Sequence, residues 1–280
     1  MKSILVPVEA GDQLGAVLAG ALLLAKQMDC FIEGVPVGTT FEGLATYEGP
    51  IVAEALTCFE EQPSADELGQ QFTNFMAENG VRQVEKPESG LSCRWQGGDL
   101  VHENFIGNHS RLFDITAVGR PRREGGNPSI TITEAVLFEG GRPIFVVPPD
   151  MKVDREFGQR ILIGWNRSAE SARAVTASIP LLRMAEKVFV LTVEGGPKIS
   201  GPSGVQLCEF LRIYGIDAEE QSAEAVASNV GEFILETARQ KNCDMLVKGA
   251  YTNSRLRQML FGGATRHIIH HAEIPVVMAN

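Results

Sequence analysis

Gly249-Ala-Tyr-Thr-Asn-Ser-Arg-Leu-Arg-Gln-Met-Leu-Phe-Gly262-Gly263 follows an apolar run, Met245-Leu-Val-Lys-Gly249, and leads into a helix-like stretch that ends on Ile274-Pro-Val-Val-Met278. Strand, glycine-bracketed loop, helix and strand follow one another, as in a βα repeat. Glycine lets the backbone approach a phosphate closely, and the free N–H groups of a helix start point at it. The stretch therefore reads as an anion cradle or, equally, as a strand-to-helix connection without a ligand. Arg255 and Arg257 share that ambiguity: they either neutralise phosphate or are solvated loop charge.

Working outward, three landmarks occur twice in the same order. Lys2-Ser-Ile-Leu-Val-Pro-Val-Glu9 is echoed by Gln159-Arg-Ile-Leu-Ile-Gly-Trp-Asn166, and Asp114-Ile-Thr-Ala-Val-Gly119 by Asp244-Met-Leu-Val-Lys-Gly249. Arg142-Pro-Ile-Phe-Val-Val-Pro148 is echoed by Ile274-Pro-Val-Val-Met278. The chain is thus a diverged internal repeat, with domains expected at 1–150 and 151–280 and a polar linker from Pro148 to Glu156. The first half is longer, and the excess is assigned to the region from Gly38 to Ala65.

Strand and helix signals alternate in each half. In the second half, strands are predicted at 161–165, 188–193, 218–223, 245–249 and 274–278. Helices are predicted from Ser168 to about Ala185, with a kink at Pro180, and over 205–214 and 229–240, with Ser168 and Ser228 as N-caps. In the first half, helices are predicted at 13–28, 51–61, 66–79, 102–113 and 129–138. The pattern implies mainly parallel sheets covered on both faces. Ligands of such sheets sit beyond the carboxyl ends of the strands at the switch point, and Asn166, Val193 and Gly249 all lie at strand ends.

A net charge of −10 disfavours a general nucleic-acid footprint and suits a soluble cytoplasmic protein. The longest apolar run, Leu14 to Ala25, is too short to span a bilayer, so no membrane partner is expected. No signal-peptide layout precedes the first strand. The five cysteines are scattered, without a CxxC pair, and read as buried reduced thiols.

His267, His270 and His271 share the last helix, and His267 and His271 share a face at i, i+4. That spacing suits a metal or simply a helix C-terminus, and no metal site is expected. Trp165 reads as a core-edge residue or a base-stacking one. The apolar insert Leu44, Tyr47, Ile51, Val52, Leu56 and Phe59 reads as packing. No Ser-His-Asp or Cys-His constellation can be assembled, so the expectation is a binding protein or at most a slow ATPase.

The stretches Gly249-Ala-Tyr251, Ser254-Arg-Leu-Arg257, Gly262-Gly-Ala-Thr-Arg266 and Trp165-Asn-Arg-Ser-Ala-Glu-Ser-Ala-Arg-Ala-Val175 together resemble the universal stress protein family in its tandem two-domain form. The resemblance spans nearly the whole chain. It implies two Rossmann-like α/β domains, each a five-stranded, mainly parallel sheet, related by a pseudo-two-fold axis and paired through the final strand of each domain. A homodimer is a further assembly open to it. In nucleotide-binding members a G-x-x-G-x9-G-S/T loop holds ATP, here with magnesium as the implied companion. Carried over by position, Trp165, Asn166, Val193, Gly249, Tyr251, Thr252, Gly262, Gly263, Ala264 and Thr265 form the adenine-nucleotide site. Thr252 replaces the second glycine, Gly263 the Ser/Thr and Asn166 an aspartate. A β-branched residue is costly wherever φ must be positive, so Thr252 counts against the cradle. Asn166 can still bond a ribose hydroxyl. In the first half, Arg120-Pro-Arg-Arg-Glu-Gly-Gly-Asn-Pro128 breaks the loop, and Glu9 has no matching cradle. The implied role is a stress-response protein with its candidate site in the second domain; the rival is a nucleotide-free interaction protein.

Overall fold

A computed structural model of the chain describes residues 1–38, 62–122, 126–194, 199–224, 230–250 and 263–280. The chain divides into two compact units, Met1–Arg142 with Pro149–Val153, and Pro143–Pro148 with Asp154–Asn280.

The first unit alternates strand and helix: β1 (Ser3–Glu9), α1 (Leu14–Met28), β2 (Phe31–Val37), α2 (Ala65–Glu78), β3 (Arg82–Gln83), β4 (Ser92–Trp95), α3 (Glu103–His109), β5 (Ile115–Gly119) and α4 (Ile130–Glu139). Its strands run in the order β3-β4-β2-β1-β5. Each adjacent pair is parallel. β1 and β2 are apolar runs buried almost end to end, as strands covered on both faces must be. α1 buries Leu14, Leu18, Leu22 and Ala25 among others, so its apolar run serves the core. No helix among the described residues is long and apolar enough to cross a membrane.

A charged residue on β2 lies inside this core. Glu33 of β2 has a side chain 1% exposed; Nε of Arg94 donates to Oε2 at 2.9 Å, and Nε2 of His109 meets Oε1 at 2.8 Å. Burial pushes this carboxyl up, but the hydrogen bonds from His109 and Arg94 outweigh it and hold the group below its ordinary value.

The second unit contains β6 (Ile144–Val147), β7 (Arg160–Trp165), α5 (Ala169–Leu182), β8 (Lys187–Glu194), α6 (Gly204–Ile213), β9 (Ala218–Glu224), α7 (Val230–Gln240), β10 (Met245–Gly249), α8 (Ala264–His271) and β11 (Val276–Ala279). The strand order is β6-β11-β10-β7-β8-β9. Neighbours are parallel from β11 to β9, and β6 is antiparallel to β11. The sheet therefore has six strands rather than the five expected, because β6 joins it. β9 is mostly exposed along its length, which explains the polar pattern of its sequence at the sheet edge.

Serine hydroxyls start several helices. Ser64, Ser129, Ser168 and Ser203 each accept a backbone N–H of the first turn, and Ser64 and Ser203 complete capping boxes with Glu67 and Gln206. Ser168 caps α5 as its sequence suggests, and the helix runs on through Pro180 to Leu182. Ser228, the helix predicted at 51–61 and the apolar insert around it lie outside the described residues. Cys30, Cys93, Cys208 and Cys243 are buried and free. The strands β3 and β4 have no counterpart in the sequence reading.

Candidate functional site

The connections of the second unit reverse direction at one place. From β7 the chain moves to β8 and β9 on one side; from β10 it moves to β11 on the other. In a parallel sheet this leaves a crevice beyond the carboxyl ends of the two central strands. Register fixes what borders it. Lys248 pairs with Gly164, and Trp165 pairs with Thr192. Asn166 thus follows β7 at the level of Val193, the last residue but one of β8, and one place beyond Gly249, which ends β10.

Each predicted residue has a definite setting. Trp165 is 4% exposed, and its Nε1–H donates to the Pro202 carbonyl at 2.8 Å, so its ring belongs to the core edge. Asn166 Oδ1 accepts from Ser168 N at 3.3 Å, at the entrance to α5. Gly249 has a packing reason for being glycine: an added Cβ would lie 2.3 Å from Ser171 N and 2.7 Å from Glu170 C, the backbone of the first turn of α5. Gly263 is the N-cap of α8, with no side-chain capping hydrogen bond. Ala264 and Thr265 open that helix, and Thr265 is buried. Tyr251, Thr252, Gly262, Arg255 and Arg257 lie outside the described residues.

The sequence reading passed over Lys248. Successive strand residues face opposite sides of the sheet. Gly249 faces α5, so Lys248 faces the other layer, where α8 begins. Its Nζ donates to the Gly249 carbonyl at 2.7 Å and to Thr265 Oγ1 at 3.0 Å. The residue is 9% exposed, and burial pushes its ammonium down to about 8. The available signal was a lysine one place before the strand-ending glycine in an otherwise apolar run.

The corresponding crevice of the first unit, between β1 and β5, is closed. Pro128 packs on the end of β5 so tightly that a Cβ on Gly119 would fall 2.3 Å from its Cγ. The space left beside Glu9, Gln13 and Asn127 is about 10 Å3, room for roughly one water molecule. Glu9 Oε1 accepts the Ser129 N–H at 3.0 Å. Burial raises this carboxyl to about 7, against the smaller pull of the Ser129 hydrogen bond. Among the described residues, Gln13 Oε1 is a buried acceptor with no hydrogen-bond partner.

The histidine pair on α8 does share a face. The His267 and His271 rings stack at 4.1 Å, and His271 Nδ1–H donates to the His267 carbonyl at 2.7 Å. Among the described residues no group of three or more His, Cys, Asp or Glu is arranged to hold a metal ion.

Taken together, these are two α/β units built on parallel sheets, the second with a crevice at its switch point. Residues 213–280 match the model of the Universal stress protein family. A universal stress protein from Archaeoglobus fulgidus DSM 4304 is similar over 99% of this chain and 96% of its own, with 16% identity and a TM-score of 0.67. A functionally unknown protein from Pseudomonas aeruginosa PAO1 is similar over 100% and 92%, with 17% identity and a TM-score of 0.51. A universal stress protein solved in complex with cAMP covers 44% of this chain at 19% identity and a TM-score of 0.35. No curated protein matches the sequence. The family match thus covers the C-terminal residues 213–280, and over the whole chain the likeness to solved universal stress proteins is one of fold.

Proposed function

We propose that the second unit binds an adenine nucleotide, ATP, in the crevice between β7 and β10, and that the protein serves a regulatory role in a cytoplasmic stress response. One observation carries the reading: a helix start without a side-chain cap and a buried ammonium stand together at the switch point of a parallel sheet. Uncapped N–H groups and the positive end of the helix dipole favour a negative ligand there. Asn166 beyond β7 and Val193 near the end of β8 supply neighbouring positions for ribose and base. Magnesium, which keeps several waters and leans on substrate phosphates, would enter with the nucleotide. A purely interactive role has its own support, because the packing of α5 demands glycine at 249 with or without a ligand.

The test is thermal melting with and without ATP and Mg2+. A ligand at a hundred times its Kd stabilises the native state by about 2.7 kcal/mol, an easily measured rise in Tm. An unmoved Tm at millimolar ATP refutes the proposal and leaves the interaction role.

A further inference from the structure

We infer that the outer edge of β9 docks a second copy of this chain, strand to strand and antiparallel, about a two-fold axis at Gln221. β9 ends the sheet of the second unit: β8 pairs with one side of it along all seven residues, and no described strand lies on the other. Free edges of that length are usually blunted by proline, a bulge or shortening. β9 contains no proline, and its register against β8 runs without a break. The edge strand of the first unit, β3, is by contrast two residues long. A regular row of unpaired N–H and C=O groups is a template for another strand.

The charge pattern selects the partner and the register. A two-fold axis perpendicular to the sheet keeps each side chain on its own face, so only shifts of two residues are open to a self-pair. With the axis at Gln221, all seven residues pair. Ala218 faces Glu224, Glu219 faces Ala223, Glu220 faces Ser222, and Gln221 faces its copy. No carboxylate opposes another, which is what cross-strand pairing requires. A shift of two residues one way sets Glu220 against Glu220, and the other way sets Glu220 against Glu224. The carboxylates are also matched within the unit: Lys187 Nζ lies 2.9 Å from Glu219 Oε1, and Ser222 Oγ–H donates to Glu220 Oε1 at 2.8 Å.

The helix on this edge lacks cover as well. α6 starts against β9, where a Cβ on Gly204 would lie 2.8 Å from Glu220 Cγ. Of the eight large apolar side chains exposed among the described residues, four, Val205, Phe210, Ile213 and Tyr214, belong to α6 and its C-cap. The free strand and the densest exposed apolar surface therefore coincide. The axis sets the two α6 helices antiparallel on one face of the joined sheet, so strand pairing and apolar burial reinforce each other. This inference is independent of the nucleotide reading above.

The test is sedimentation equilibrium of the full chain at pH 7. It compares wild type, Ser222→Glu, Ser222→Lys and the double variant Glu220→Lys/Ser222→Glu, with thermal melting to confirm that each is folded. Residues 220 and 222 are exposed, so the variants should melt close to the wild type. The expected wild type is a dimer. Ser222→Glu sets a carboxylate against Glu220 on both sides of the axis and should weaken the dimer about tenfold. Ser222→Lys meets Glu220 with opposite charge and should tighten it, and the double variant should regain the wild-type constant. A wild type that stays monomeric at millimolar concentration overturns the proposal. A dimer that is equally tight in all four proteins overturns it too, because the interface then lies elsewhere. Loss in Ser222→Glu without recovery in the double variant overturns the register at Gln221.

Discussion

Replacing Glu9 with glutamine should stabilise the first unit at alkaline pH and change little at acid pH. The carboxyl is 9% exposed, and its one described hydrogen bond comes from Ser129 N at 3.0 Å. Burial lifts it from an ordinary value of 4.5 to about 7. A folded-state pKa raised above the unfolded one gives stability that is complete below the unfolded value and is lost as pH rises through the folded value. Between 4.5 and about 7, at about 1.4 kcal/mol per pH unit, the loss reaches about 3 kcal/mol. Glutamine keeps the acceptor for Ser129 and carries no charge, so its variant escapes this loss. Melting curves of wild type and Glu9→Gln at pH 5 and pH 8.5 measure the difference. At roughly 2–4 °C per kcal/mol for a unit of this size, the variant should melt about 6–12 °C higher at pH 8.5 and within about 3 °C at pH 5. An equal gap at both pH values, or a less stable variant at pH 8.5, would refute the reasoning.

Other substitutions probe the two layers of the second unit and the buried ion cluster of the first. Gly249→Ala drives a methyl into the backbone of Ser171 and should cost about 1–3 kcal/mol in the apo protein. Gly263→Ala meets no described atom within 4 Å and, at an N-cap where alanine is poorer than glycine, should cost at most about 1 kcal/mol in the apo protein, so a larger loss of ATP binding energy there reports on the ligand. Glu33→Ala strands Arg94 and His109 against a buried site and should cost about 3 kcal/mol by urea unfolding at pH 7. Because the Glu33 carboxyl is held below its ordinary value, its contribution is present above the unfolded pKa and lost as pH falls through the folded one. The penalty of Glu33→Ala should therefore shrink below about pH 4; a penalty that does not change with pH would contradict the linkage.

The sequence exposed the elements whose physics is local. Apolar runs such as Ile161–Trp165 and Met245–Gly249 cannot be solvated, and serine before an amphipathic stretch marked the start of α5 at Ser168. It hid what depends on partners. β3 is two exposed residues and β4 four, too short for any periodicity to show. β6 is an apolar run that looks alike whichever sheet receives it, and its six-strand setting in the second unit comes from pairing with β11. At the site, the strand ends were legible because they are landmarks of the repeat. Gly249 was read for its backbone freedom, whereas its missing side chain makes room for α5. Lys248 went unread because a lysine in a strand usually reaches water, and only the position of α8 shows that this one cannot.

Equilibrium dialysis of labelled ATP with Mg2+ against nucleotide-stripped protein tests the central claim most directly. A site proposed at the switch point of the second unit, with the corresponding place in the first filled by Pro128, predicts saturation at one ATP per chain. No binding at millimolar ATP, or saturation at two per chain, would contradict the account.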